Sequence, residues 1–197
     1  MVRKQIISKE AGMAMAVVLG IVGLIVVWLV VTYNGLIGLK NKVQNAWQQI
    51  DVQLKRRHDL IPNLVNAVKG AMQFERDTLE RVVAARNRAV SAQGPQAAAA
   101  AEGQLSQALS RLFALMENYP DLKSSQNVLQ LQEELTSTEN RIGFARQLYN
   151  DLVARYNIKQ QVFPTNLMAA GMGFAPVDYF HIDEAEKASP RVDVSLG

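Results

Sequence analysis

From residue 11 to residue 39 no side chain carries a charge, and within that stretch residues 11–33 are apolar apart from Thr32 and the amphipathic Tyr33. At about 1.5 Å per residue the run reaches about 34 Å, enough to cross a hydrocarbon core of about 30 Å. Backbone groups in lipid have no water to bond, so the segment must be a helix. Trp28 and Tyr33, near its far end, suit the aromatic belt of a membrane interface. A cleaved signal peptide has a shorter apolar region with a small-x-small site behind it, and Thr32-Tyr33-Asn34-Gly35 is no such site. A core helix of a globular domain is not normally apolar on every face. A single-pass signal anchor is the reading that is left.

Charge around the run bears on its direction. Arg3, Lys4 and Lys9 precede it, and Lys40 and Lys42 follow. The N-terminal flank wins narrowly, which predicts a cytoplasmic N-terminus and a periplasmic or outer bulk domain. Within the run Gly12, Ala16 and Gly20 fall at i, i+4 and i+8, a stripe of small residues on which a second helix backbone could pack. Membrane lipid is the first expected partner, a second copy of the chain another.

The whole chain, 197 residues at net charge +3, owes +2 of that charge to Arg3, Lys4 and Lys9 against Glu10. The remainder lacks the concentrated basic face of a nucleic-acid binder, so nucleic acid is not expected as a partner. Cysteine is absent, which removes disulfides, thiolate metal sites and a Cys nucleophile together.

Beyond Gly35 and Gly38 the pattern changes to amphipathic helices. Val43, Trp47, Ile50, Leu54, Ile61, Leu64 and Val68 recur at three- and four-residue steps, skipping one turn at Arg57. Pro62 lies inside this helix and predicts a kink or a restart near residues 58–62, because it cannot bond the carbonyl of residue 58. A second periodic stretch over about residues 71–90 places Phe74, Leu79, Val82, Val83 and Ala89 inward. Gly94-Pro95 and an alanine run read as a turn feeding a third helix, about residues 97–118, with Leu105, Leu109, Leu112, Phe113 and Met116 buried. Asn118-Tyr119-Pro120-Asp121 is a turn by its chemistry, after which Ser124 or Ser125 is placed to cap the next helix. In that helix, about residues 126–162, Val128, Leu135, Ile142, Tyr149 and Tyr156 repeat every seven residues, with Leu131, Ala145 and Leu152 between them. Such a repeat implies coiled-coil-like packing, and Phe163-Pro164 ends it. Long helices joined by short turns form an antiparallel up-and-down bundle, so the expected fold is all-α: basic flank 1–10, transmembrane helix 11–33, bundle 34–163, and a C-terminal segment 164–197 with a short helix and tail. Val192, Val194 and Leu196 alternate, but as a frayed tail rather than a strand.

Several charged residues fall on or beside the apolar seams: Arg57, Glu75, Arg86, Glu139 and Arg146. Charges on the core side need partners, so interhelical pairs are expected, with Glu75 and Glu139 accepting and Arg57, Arg86 and Arg146 donating. Register-fixing ion pairs outweigh a ligand cluster here. No HExxH, Glu-x-x-His pair, Walker loop, GxGxxG or GxSxG occurs, and only His58 and His181 could supply imidazole. No catalytic residue, cofactor, metal or small-molecule substrate is expected. His58 reads as a hydrogen-bonded residue beside the proline. In the C-terminal segment Leu167, Met168, Met172, Phe174, Tyr179 and Phe180 accompany Gly171 and Gly173. Too short to span a bilayer, this stretch is placed to dock on the bundle, enter the membrane interface or meet a neighbouring subunit.

The motifs in order, Arg57-His58-Asp59-Leu60-Ile61-Pro62-Asn63-Leu64-Val65, Glu117-Asn118-Tyr119-Pro120-Asp121-Leu122-Lys123, Leu131-Gln132-Glu133-Glu134-Leu135, Thr138-Glu139-Asn140-Arg141-Ile142, Ala145-Arg146, Tyr149-Asn150, Tyr156-Asn157 and Phe163-Pro164, resemble the LemA family of bacterial membrane proteins. The resemblance covers about residues 33–180. It implies a single-pass anchored bundle with no established enzymatic activity, ties to a membrane metalloprotease, and relatives in magnetosome formation. The expected function is a non-enzymatic scaffold or adaptor of the cell envelope. The alternatives are a regulator or sensor of an envelope protease and a membrane-shaping protein.

Overall fold

The structure, a computed structural model, describes residues 2–181, with side chains described from residue 12 onward. The side chains of Arg3, Lys4, Lys9 and Glu10, and the tail with Val192, Val194 and Leu196, lie outside the described residues. The chain is all-α, with no strand among the described residues. In order come α1 (Val2–Val68), α2 (Arg76–Ser91), α3 (Pro95–Met116), the short α4 (Pro120–Ser124), α5 (Gln126–Gln161) and the single-turn α6 (Asn166–Ala169). The described residues divide into two compact units: α1 as far as Lys42 with Arg155–Pro176, and Val43–Ala154 with residues 177–181.

The first unit contains the apolar run. Nothing in its most apolar window is buried, and Leu19, Leu24 and Val31 are 64, 73 and 65% exposed. Such exposure excludes the core helix of a globular domain and fits a helix made to cross a membrane once. The environment changes at Thr32: Thr32 and Leu36 are buried, as are Tyr156, Thr165, Ala169 and Phe174 from the returning chain. The rings of Tyr33 and Phe174 meet edge to face with centroids 5.6 Å apart, the arrangement the aromatic quadrupole favours. Gly35 permits a close approach, since a Cβ there would stand 3.0 Å from Lys159 Nζ.

In the second unit one apolar cluster joins Ile61, Leu64 and Val68 of α1, Leu79, Val82, Ala85 and Ala89 of α2, Leu105, Leu109, Leu112 and Met116 of α3, and Val128, Leu131 and Leu135 of α5. Leu122 of α4 completes it. α2 and α3 pack together across a three-residue turn that makes them antiparallel. Gly94, at φ +81°, supplies the left-handed step, and Pro95 opens α3 where its missing N–H has no cost. Every member of the seven-residue series in α5, from Val128 to Tyr156, is buried. The chain from Val177 is held against α5: Tyr149 Oη donates to the Asp178 carbonyl at 2.9 Å, and the Asn150 amide brackets Phe180, donating to its carbonyl at 3.1 Å and accepting from its N–H at 2.9 Å. Trp47 lies against both Tyr149 and Phe180.

Three local expectations need correction. α1 runs unbroken through Gly35, Gly38 and Pro62, so Pro62 does not restart the helix. A carbonyl freed by a proline is tolerated when another donor reaches it, and Arg86 Nε donates to the His58 carbonyl at 3.2 Å. Second, Phe74 is 89% exposed, and Met72 is buried in its place. Residues 69–74 form a turn, so the helical phase of α2 starts afresh at Arg76. Third, Val83 is 40% exposed, being next to the buried Val82 and so about 100° around the helix from it. Of the two candidate caps, the Ser124 hydroxyl donates back to the Asp121 carbonyl within α4, and Ser125 stands directly before α5, its carbonyl accepting from Leu129 N–H at 3.0 Å.

Candidate functional site

The buried polar centre of the second unit is assembled by four helices. Adjacent residues of α1, Arg57 and His58, both face α3, where Glu102 and Ser106 sit one turn apart on a single face. Arg57 Nη1 donates to Glu102 Oε2 at 2.9 Å, and Arg57 Nη2 donates to Ser106 Oγ at 2.9 Å. His58 Nε2 lies 2.5 Å from the other oxygen, Glu102 Oε1, so the carboxylate is held from both sides. Glu139 of α5 adds a second ion pair to Arg57 Nη1 at 2.9 Å, from the solvent side, where its side chain is 48% exposed. From α2, Arg86 closes the group through the His58 carbonyl. Arg57, His58 and Glu102 are all buried.

Taken out of water, a charge cluster of this kind is held only when each charge and each lone pair is matched. Here the guanidinium is shared by two carboxylates and a hydroxyl, and the carboxylate by a guanidinium and an imidazole. The named donors and acceptors of Arg57, His58, Glu102 and Glu139 are thus paired with one another. Among the described residues no group of His, Asp and Glu is arranged to hold a metal ion.

Of the seam residues singled out from sequence, Arg57, Arg86 and Glu139 fall in this centre. Glu75 lies elsewhere and accepts from Tyr119 Oη at 3.3 Å, a contact that, after desolvation, raises the phenol above its ordinary range. Arg146 is half-buried and takes part in none of these contacts. Gly12, Ala16 and Gly20 face open space, with nothing within 4 Å of a Cβ at Gly12 or Gly20. In the C-terminal segment Phe174 and Phe180 are buried and Met168 and Tyr179 half-buried, whereas Leu167 is 76% exposed and Met172 also faces outward. Sequence reasoning missed Glu102. It follows an alanine run with no apolar–polar pattern, and only the i, i+4 pairing of Glu102 with Ser106 hints that this stretch faces a cation.

A second feature is a surface. Along α1 and α5 a groove is lined by Asn45, Gln49, Val52, Arg141, Phe144 and Leu148, with Gln53 at its floor. Phe144 is 74% exposed, Val52 and Leu148 also face solvent, and Gln53 Oε1 is buried without a hydrogen-bond partner.

The LemA family profile matches residues 46–194. Protein LemA of Metamycoplasma hominis is 28% identical over 162 residues, covering 82% of this chain and 72% of that protein. Magnetosome protein MamQ of Magnetospirillum gryphiswaldense is 26% identical over 179 residues, covering 78% of this chain and 66% of its own length. Magnetosome protein MamQ 2 of Paramagnetospirillum magneticum is 26% identical over 178 residues, covering 77% of this chain and 65% of its own. The chain thus spans about two thirds of the MamQ proteins. The matched region takes in Arg57, His58, Glu102 and Glu139 as well as α2–α5, and this chain is a member of the LemA family.

Proposed function

We propose that this protein is a non-enzymatic, membrane-anchored scaffold or adaptor, whose second unit offers the α1–α5 groove to a helix of another envelope protein. The observation that carries this reading is the groove itself. Phe144 stands outward beside three glutamines and Asn45, and the Gln53 oxygen has no donor. An isolated exposed apolar residue needs no explanation, but Val52, Phe144 and Leu148 share one concave strip, which is the pattern of a helix-in-groove site. An incoming helix with an apolar stripe and an amide or hydroxyl donor would cover the ring and satisfy the orphaned oxygen. The polar centre supports the same reading, because its charges are spent on fixing helix register rather than on chemistry.

The test uses the full chain in its own membranes, with a photocrosslinking residue placed at Phe144 or Val52 and, for comparison, at the exposed Glu133. Discrete adducts from the groove positions, absent from Glu133 and lost on Leu148→Ser, support the reading. Their mass separates a second copy from another protein. Equal labelling at all three positions, or none, overturns it.

A further inference from the structure

We infer that the end of α5 and the turn after it form an amphipathic foot that seats in the headgroup–acyl boundary of an anionic bilayer, in the leaflet where the apolar run of α1 ends. The inference rests on that run crossing the bilayer, and every observation behind it lies within the first unit.

After the half-buried Trp28 and Leu29, the first buried side chain of α1 is Thr32, at the end of the apolar run, and Phe174 meets Tyr33 there. The segment that supplies Phe174 is therefore level with the boundary of the hydrocarbon core. Its packed face uses Tyr156, Thr165, Ala169 and Phe174. Its other face shows Ile158 and Val162, one turn apart, then Phe163, Leu167 and Met172, which are 57, 47, 77, 76 and 39% exposed. A patch of branched, aromatic and thioether side chains left outward beside a membrane span has its natural complement in lipid.

Charge points the same way. Residues 12–42 and 155–176 hold no Asp or Glu, and their charged side chains are Lys40, Lys42, Arg155 and Lys159. An all-cationic set of this kind complements anionic headgroups. Covering by a second copy is disfavoured by the same charges, since two identical first units would bring like charges together.

The chain has no cysteine, so single spin labels need no background changes. Full-length protein in nanodiscs would carry one nitroxide on Phe163→Cys, Leu167→Cys, Leu24→Cys or Val52→Cys, with helicity checked by circular dichroism. The first two positions are exposed, and their labels replace no core contact. Expected is a collision ratio of oxygen to a water-soluble nickel complex several-fold higher at Phe163→Cys and Leu167→Cys than at Val52→Cys. It should approach the ratio at Leu24→Cys and be higher in discs containing phosphatidylglycerol than in phosphatidylcholine alone. Ratios at 163 and 167 equal to that at 52, with 24 shielded, overturn the foot while leaving the anchor. Nickel access at 24 overturns the anchor and the foot with it. Dipolar broadening at 163 or 167 assigns the patch to a second copy, and equal ratios in the two lipids overturn the role of the cations.

Discussion

From Gly12 to Val27, α1 turns apolar side chains outward on every face; after Val43 it hides them along one seam and shows Gln, Lys, Arg and Asp to solvent. One helix thus serves two solvents. In the outer stretch leucine and valine are stable where exposed because lipid is as apolar as they are, and the helix satisfies its own backbone. In the bundle the same residue types contribute only by leaving water, so their placement depends on α2, α3 and α5 being in register. The polar residues divide in the same way. Among its described side chains the first unit carries cations alone, whereas the second buries Arg57, His58 and Glu102 in mutual contact.

The comparison predicts where a substitution will be felt. The largest effect is expected from Glu102→Ala, which strands Arg57 and His58 in the core. Chemical denaturation of the reconstituted protein should show a loss of about 3 to 5 kcal/mol, and the double variant Arg57→Met, Glu102→Leu should lose less. A milder single than double variant would mean that the centre is not a matched set. Next, Leu64→Ala in the bundle should cost about 3 kcal/mol, whereas Leu24→Ala in the outer stretch should leave the same unfolding curve unchanged. A shared shift would break the division into two solvents.

Third, Arg86→Met should cost about 1.5 kcal/mol by leaving the His58 carbonyl unbonded. In a Pro62→Ala background the helix can bond that carbonyl itself, so the same change should cost much less. Additive losses in this double-mutant cycle would separate Arg86 from the proline. The smallest effect is expected from Tyr149→Phe, about 1 kcal/mol at neutral pH from the lost bond to Asp178. Burial first, and then the Asp178 carboxylate, raise this phenol from 10.0 to about 12. A raised acid favours its neutral form in the folded state, so its stabilisation is complete below pH 10 and is lost as pH climbs toward 12. Tyr149→Phe should flatten that alkaline limb, measured by unfolding between those two values.

Much of the helical architecture can be read from periodicity. The seam of α1 from Val43 to Val68 and the seven-residue series of α5 are long repeats, and long repeats average out local noise. Phe74 and Val83 show where that reading fails. A short turn at residues 69–74 resets the helical phase, and a periodic pattern carries no information across a turn. For the polar centre, Arg57 was legible as a break in an apolar seam, because a charge at a core position demands an account. Glu102 was not, because the alanines before it have no pattern to interrupt.

Local chemistry alone determined that residues 11–33 suit lipid, that the chain from there to about residue 162 is mostly helical, and that no familiar catalytic motif is present. Those properties depend on composition and spacing, which are written along the chain. Tertiary structure decided that Glu102 is the carboxylate Arg57 and His58 share, that Arg86 replaces the bond Pro62 removes, and that Phe174 turns inward while Phe163 and Leu167 turn out. Each of those outcomes depends on which helix faces which at a distance of a few ångströms. That is set by the packing of whole surfaces, not by any one segment.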